Sequence, residues 1–251
     1  MGSEQNVDTK EASLAVEFAD LDRERALGEQ IEWTAEFCEV PSAKEIPKLS
    51  ERSSGPIRLP GGQTIYMPDL SRIGMHDRLN PHYYHELANY VFTSRLVRKS
   101  RFVVTNTGNT PANDVRLEIC VPNGSGYGIL RWSDIPDAPK RRESVLDKVT
   151  MEDLHIRPAF QRIGALDIEK TDHETKVEID CGNLQPGRKV WTDEFHLAVI
   201  DSGEVKIQGH LYAANLSQPQ SFTRSIDAQI TRTSMTVDEL TALDEPEDYD
   251  D

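Results

Sequence analysis

Between Arg101 and Ile230 apolar and polar residues alternate again and again with a period of two, and no other feature constrains the fold as tightly. Val115, Leu117, Ile119 and Val121 alternate with Arg116, Glu118 and Cys120, and Val177, Ile179 and Cys181 alternate with Lys176, Glu178 and Asp180. Phe102 and Val104 share one parity, as do Trp191, Phe195, Leu197 and Val199. Val205, Ile207, Leu211 and Ala213 oppose Glu204, Lys206, Gln208, His210 and Tyr212. Phe222, Ile226, Ala228 and Ile230 oppose Thr223, Ser225, Asp227 and Gln229. Successive strand side chains point to opposite faces, so this spelling describes antiparallel strands with one face in a core and one in water. Turn residues punctuate the runs at Thr107-Gly108-Asn109, Pro122-Asn123-Gly124, Gln185-Pro186-Gly187, Asp201-Ser202-Gly203 and Gln218-Pro219-Gln220. The pattern predicts a mainly β protein: an antiparallel immunoglobulin-like β-sandwich of seven or more strands over residues 100–235, with a barrel as the alternative closure. Trp191, on the parity of Phe195 and Leu197, is the expected core aromatic.

The rest of the chain reads differently. Residues 1–12 are polar and read as a disordered N-terminus. Ser13–Phe18 and Ile31–Val40 are strand candidates, and the charged span Asp20–Gln30 reads as a loop or short helical turn. Prolines at 41, 47, 56, 60 and 68 make residues 41–79 irregular, so 13–79 reads as strands and extended chain packed on the sandwich. Asn80-Pro81 is a helix start, with Asn at the cap and Pro at the first helical position, and the helix extends to Val97 within a segment 80–99. Tyr84, Leu87, Ala88 and Val91 give it one apolar stripe. Asp134–Arg157 breaks the strand rhythm and reads as a charged insertion. Residues 236–251 read as an acidic disordered tail: from Asp238 onward there are eight acids and no base, and Pro246 opposes any helix begun at Thr236.

A chain of 251 residues can bury a sizeable core. Its net charge of −15 argues against general nucleic-acid or anionic-membrane binding, which needs a positive field. No run approaches the ~20 apolar residues of a spanning helix. The N-terminus has no apolar signal core, and three scattered cysteines, Cys38, Cys120 and Cys181, make neither a disulfide framework nor a zinc motif; a cytoplasmic setting follows as the expectation.

Arg101–Pro122 (RFVVTNTGNTPANDVRLEICVP) resembles a recurring bacterial pattern of strand, N-x-G-x-x-P-A-x-x-V, strand and proline found in immunoglobulin- or fibronectin-like sandwich domains. Leu184–Val199 (LQPGRKVWTDEFHLAV) is similar to the L-x-P-G strand of such domains. An extended Pro-containing stretch, a helix around His82–Tyr90 and a sandwich together look like the C-terminal accessory half of some Schlafen-type AlbA-domain proteins. The resemblance covers about 130 residues. It implies a stand-alone relative of that half, in a bacterial defence or regulatory context.

Chemistry is sparse. His76, His82, His85 and Glu86 are the densest polar cluster, and His82 and His85 sit three apart on the helix, near enough to share a metal. The spacing is not that of a zincin, and the expectation is a packing or solvated helix face with no metal and no cofactor. His196 and His210 lie on strands among charged residues and read as surface. Asn123–Gly128 is a glycine-rich inter-strand loop without the Lys and helix that phosphate binding requires. Lys140-Arg141-Arg142 is the one basic knot; with Arg131 and Trp132 it makes a cationic and aromatic patch. The expected function is therefore a non-enzymatic interaction or sensing module with a protein partner, its contact surface at Asn123, Tyr127, Arg131, Trp132, Lys140, Arg141 and Arg142. The alternative is a small anionic ligand, a nucleotide or sugar, at Arg131 and Lys140–Arg142.

Overall fold

The computed structural model describes residues 12–49, 57–58, 64–65, 78–143 and 162–243. In chain order the strands are β1 (Leu14–Ala19), β2 (Ala26–Gly28), β3 (Gln30–Glu39), β4 (Ile57–Arg58), β5 (Thr64–Ile65) and β6 (Arg78–Leu79), followed by helix α1 (Tyr83–Leu96). Then come β7 (Val97–Ser100), β8 (Phe102–Asn106), β9 (Ala112–Pro122), β10 (Tyr127–Leu130), a one-turn 3-10 helix at Trp132–Asp134 and β11 (Arg142–Glu143). After these follow β12 (Leu166–Lys170), β13 (Glu174–Leu184), β14 (Lys189–Trp191), β15 (Phe195–Val199), β16 (Gly203–Tyr212), β17 (Gln220–Ser234) and α2 (Val237–Ala242). The protein is mainly β. Two units divide it: Met1–Phe37 with Ser94–Ile135 and Ala159–Arg232, and Cys38–Thr93 with Pro136–Pro158 and Thr233–Asp251.

The first unit holds the alternating strands. Its sheets run β14-β8-β1-β2, β10-β15-β7 and β12-β13-β9-β16-β17-β3. The longest ladder is antiparallel, from Glu174 opposite Pro122 to Leu184 opposite Ala112, with an irregularity around Gly182. β3 is added to β17 in the parallel sense, since Ser225 N donates to Glu29 O at 3.1 Å and Met235 N to Glu39 O at 2.9 Å. Inward side chains of all three sheets meet in one core that includes Val16, Phe18, Phe102, Leu117, Ile119, Val177, Ile179, Phe195, Leu197, Ile207 and Ile226. Phe102 lies between Phe18 and Phe195, with ring centroids 5.1 and 5.0 Å away. Close backbone approach explains one glycine: a Cβ on Gly209 would lie 2.4 Å from Glu118 O and 2.6 Å from the Phe222 ring.

Asn106 ties the two motif runs together. It is fully buried at the end of β8. Its Nδ2 donates to Thr110 O at 2.9 Å and Leu184 O at 2.8 Å, and its Oδ1 accepts from Gly108 N at 3.0 Å. Its backbone N donates to Arg188 O at 3.1 Å, and its O accepts from Gly187 N at 2.8 Å. The N-x-G turn and the L-x-P-G turn are thus one hydrogen-bonded corner.

In the second unit, Tyr83, Leu87, Ala88 and Val91 of α1 pack with Cys38, Ile46 and Leu240. Two short ladders, β4 with β5 and β6 with β11, complete the unit's described strands. No helix among the described residues is long and apolar enough to cross a membrane.

Several expectations are corrected. α1 begins at Tyr83, not Pro81, because Asn80 builds a turn: its Oδ1 accepts from His82 N at 2.9 Å and its O from Tyr83 N at 3.2 Å. It ends at Leu96, where Val97–Ser100 becomes a strand rather than the last turn of a helical segment 80–99. The span Asp20–Gln30 contains β2. β1 is not laid on a finished sandwich; it pairs with β8 inside a sheet, so the expected boundary between 13–79 and 100–235 is not the boundary between the units. β8 is not half-buried, because Arg101, Phe102, Val103 and Val104 are all covered. The buried tryptophan is Trp33, 5% exposed, whereas Trp191 is half-buried. The expected tail starts too early. Thr236 caps α2, its Oγ1 accepting from Glu239 N at 3.2 Å while Glu239 Oε2 accepts from Thr236 N at 2.7 Å, and Leu240 is fully buried. Acids in a first helical turn suit the positive helix end, so acidity there supports a helix rather than opposing one. Residues 1–11, most of 50–77, residues 144–161 and 244–251, with the calls made on them, lie outside the described residues.

Two stability outcomes follow. Asn106→Ala removes the partners of the buried Leu184 O and the part-buried Thr110 O and should cost about 2–5 kcal/mol by denaturant unfolding. Leu240→Ala should cost about 2–5 kcal/mol through its cavity, and Thr236→Ala about 1 kcal/mol through the lost cap, both read in the same way.

Candidate functional site

The residues expected to make contact fall into two groups. Asn123, Tyr127, Arg131 and Trp132 belong to the first unit; Lys140, Arg141 and Arg142 belong to the second. Asn123 is a structural residue of a hairpin end, its Nδ2 donating to Asp172 O at 2.8 Å and its N to His173 O at 2.9 Å. Tyr127 pairs with Val199 in the β10–β15 ladder, and burial pushes its phenol above the ordinary value. It lines a cavity of about 360 Å³ with Cys120, Pro122, Ser125, Glu204, Val205, Lys206 and Gln208. The Cys120 thiol there is pushed up by burial and by Glu174 and Glu118, so it is a poor nucleophile. Cys181, in the core, is pushed up by burial to about 12.

Arg131 and Trp132 form a braced turn. Arg131 N donates to Asp134 Oδ2 at 3.1 Å, Ile135 N donates to Trp132 O at 3.1 Å, and Lys170 Nζ pairs with Asp134 Oδ2 at 2.8 Å. The Arg131 guanidinium donates to Ile168 O and lies 3.5 Å from Asp167. Burial works upward on the Asp134 carboxyl, but the bonds from Lys170 and Arg131 outweigh it and hold the group below the ordinary value. On this turn Trp132 is 73% exposed.

In the second unit, Arg141 lies over the Tyr83 ring at 5.9 Å, and its carbonyl accepts from Asn80 N at 2.8 Å. Arg142 pairs with Leu79 in the β6–β11 ladder, and Lys140 O accepts from Asn80 Nδ2 at 3.4 Å. The basic knot therefore helps to hold the base of α1. His82 and His85 stand edge to face, ring centroids 6.2 Å apart. His85 Nε2 is 3.1 Å from Ala43 O, and Glu86 Oε2 accepts from Asn80 Nδ2 at 2.7 Å. Two of the three metal candidates are thus engaged elsewhere, and no group of three or more His, Cys, Asp or Glu among the described residues can hold a metal ion. His76 lies outside those residues.

Two buried arginines were not anticipated from the sequence. Arg224 occupies a core-facing position of β17 between Phe222 and Ile226 and is 6% exposed. Its guanidinium donates to Val16 O and Thr223 O, pairs with Glu29 at 3.3 Å and lies 5.5 Å over the Phe222 ring, bracing β17 to β1. Arg101, 3% exposed, sits between β7 and β8. Its O accepts from Ala19 N at 3.0 Å and its Nη2 donates to Glu194 Oε1 at 3.0 Å, while Glu194 Oε2 pairs with Lys99 Nζ at 3.3 Å. Arg101 Nε and Nη1 are buried and have no partner among the described residues, and Trp33 Nε1 is in the same condition. Both residues line one cavity of about 310 Å³, walled by Phe18, Ala19, Leu21, Leu27 and Ile31.

No protein-family model matches the chain, and no curated protein matches its sequence. Similar solved structures include a family 123 glycoside hydrolase from Clostridium perfringens (9% identity, 87% of this chain, 28% of that chain, TM-score 0.28). A cohesin module from a family 33 glycoside hydrolase of the same organism matches at 6% identity over 53% of this chain and 87% of its own, TM-score 0.28. The CooA pilin subunit of enterotoxigenic Escherichia coli matches at 8% identity over 86% of this chain and 97% of its own, TM-score 0.22. The chain spans under a third of the first hydrolase. Likenesses of this size carry no argument about activity.

One titration follows from the site. Burial, aided by Lys99, pulls the His196 imidazole below the ordinary 6.5, against a smaller opposite pull from Glu194. The unfolded chain therefore binds the proton first as pH falls, and the folded state loses stability below pH 6.5. The melting temperature should decline from pH 6.5 toward the carboxylate range, and His196→Gln should flatten that decline.

Proposed function

We propose that this chain is a non-catalytic interaction module, an immunoglobulin-like β-sandwich that offers the Trp132 turn to a protein partner. The exposure of Trp132 on a braced turn carries this reading. A large aromatic held out to water contributes nothing to its own fold, and rigid aromatic anchors beside an arginine are the residues that dominate protein interfaces. The backbone and Asp134 bonds fix the turn before any partner arrives, which lowers the ordering cost of association. Asn123–Gly128, in the same unit, supplies further contact surface. The resemblance to the accessory half of Schlafen-type AlbA-domain proteins supports a bacterial, cytoplasmic, regulatory or defence setting, and the acidic 244–251 end suits a partner with a basic face.

The test is capture of a defined, stoichiometric partner by the full chain, compared with two variants. Trp132→Ala should abolish capture while leaving unfolding within about 0.5 kcal/mol of wild type, since the side chain is exposed. Asp134→Ala, which keeps the indole and loosens the turn, should weaken capture less. Undiminished capture by Trp132→Ala would move the interface elsewhere.

A further inference from the structure

We propose that the open edge of β7 takes an extended segment of a partner protein as an added strand, with an apolar residue of that segment seated on the Trp33 side of the groove. β7 runs on into β8 through Arg101, and β14 runs on into β15 through Thr192–Glu194, so the sheet β10-β15-β7 continues the sheet β14-β8-β1-β2. β8 is paired on both sides, by β14 and by β1. β7 ends its sheet and is paired by β15 alone. β1 stops short of it. Ala19 N donates to Arg101 O at 3.0 Å, and the chain then turns back toward β2, with Asp20 N donating to Arg25 O at 3.0 Å. Beside β7, in line with β1, no strand stands among the described residues.

A cavity of about 310 Å³ lies there. Arg98–Arg101 form one side, Phe18–Leu21 and Leu27 form another, and Ile31–Thr34 of β3 line it as well. On β3, Ile31 and Trp33 share the covered parity, while Glu32 and Thr34 are exposed. Further along both chains, Arg95 pairs with Glu36 at 2.7 Å and ties the approach to β7 against β3. Arg98–Arg101 spans roughly 10 Å at the rise of a strand, a length for about four extended residues.

The backbone on that edge has a direction. Arg101 O faces β1, and Phe102 O faces the other way, where it accepts from Thr192 N at 3.0 Å. Alternation along a strand puts Lys99 N and O on the side of Arg101 O, toward the vacant position, and no ladder among the described residues takes them up there. Val97 O, on the same edge, accepts from the Arg98 guanidinium at 3.0 Å. Arg98, Lys99 and Arg101 are balanced by Asp20, Glu32 and the nearby Glu194, so charge selects nothing. An extended polypeptide meets both remaining features. Its peptide groups continue the ladder from Lys99, and every second side chain points toward Trp33, Ile31 and Phe18. Leu21 and Leu27, each 41% exposed on the lining, are then covered by its flank. A small apolar molecule would fill the cavity and leave the Lys99 peptide groups unmatched.

Random heptapeptides displayed on phage and selected against the full chain test the proposal, with the strongest binder then synthesised. It should bind one-to-one by calorimetry and slow hydrogen exchange of the Lys99 amide at least about tenfold. N-methylation of single peptide bonds should weaken it at least about tenfold at alternate positions and leave the positions between unchanged, since only alternate groups face a partner strand. Lys99→Pro removes the edge N–H and should weaken the peptide at least about tenfold. Lys99→Ala, which keeps the amide and loses only the ion pair, should bind as wild type does, and so should Trp132→Ala. Should Lys99→Pro not fold, Leu27→Glu decides: a charge on that half-exposed wall should weaken the peptide at least about fivefold. A selection that yields no peptide binding below about 100 μM overturns the proposal. So does indifference to N-methylation, or undiminished binding by folded Lys99→Pro or Leu27→Glu. A wild-type dimer in sedimentation that Lys99→Pro converts to monomer would give the edge to a second copy and overturn it too. Binding lost in Trp132→Ala and kept in Lys99→Pro assigns the peptide to the Trp132 turn, which overturns this proposal and leaves that interface standing.

Discussion

The amide of Asn106 holds the corner on which the first unit depends. The five residues 107–111 between β8 and β9 must bring β9 into register while β13 hands the chain to β14, and several polar groups at that corner are wholly or partly withdrawn from water. Asparagine answers this with one acceptor and two donors on a short side chain, satisfying Gly108 N, Thr110 O and Leu184 O together. The backbone of the same residue closes the second turn through Arg188 and Gly187. With the corner closed, β8 is fixed against β1 and β14, and Phe102 reaches the centre of the core between Phe18 and Phe195. Gly108 belongs to the same device, since a Cβ there would meet Ser13 N at 2.7 Å.

Two arginines in the core show different solutions to one problem. Arg224 finds carbonyls, a carboxylate and an aromatic face within reach, so its burial is compensated locally and it braces β17 to β1. Arg101 is compensated at Nη2 alone. The same unit thus holds one finished ionic contact and one unfinished one.

Much of the strand content was legible because it is local. β9, β13, β16 and β17 each carry their alternation within one uninterrupted run, and their burial follows it. The alternation failed as a guide where it was carried across a break. Trp191 and Phe195 share parity on paper, but Thr192–Glu194 separates β14 from β15, and those strands belong to different sheets. Trp33 becomes the buried indole because β3 joins β17, a pairing between chain ends that no local pattern records. Arg101 and Arg224 were missed for a chemical reason: a charged side chain at a core-facing position reads as solvent-facing, and only the surrounding acceptors, distant in sequence, make it tolerable. α2 was missed because acids were counted as repelling charge without regard to their place in a first helical turn. Of the expected contact surface, the sequence marked Trp132 and Arg131; what it lacked was their bracing by Ile168, Asp167 and Lys170, more than thirty positions away in each case.

The position of β1 inside its sheet has a consequence for synthesis. Ser13 and Thr107, bonded at 3.0 Å where β1 meets β8, are 94 positions apart. At ordinary elongation rates the first strand waits about 5–20 s for its partner to emerge. During that interval β2 is at hand for one edge of Leu14–Ala19, but the edge that β8 covers in the finished sheet stays open, the kind of edge that templates aggregation between nascent chains. The residues around it are suited to the wait: Asp8 and Glu11 precede it, Glu17 interrupts it, and Asp20 and Asp22 follow.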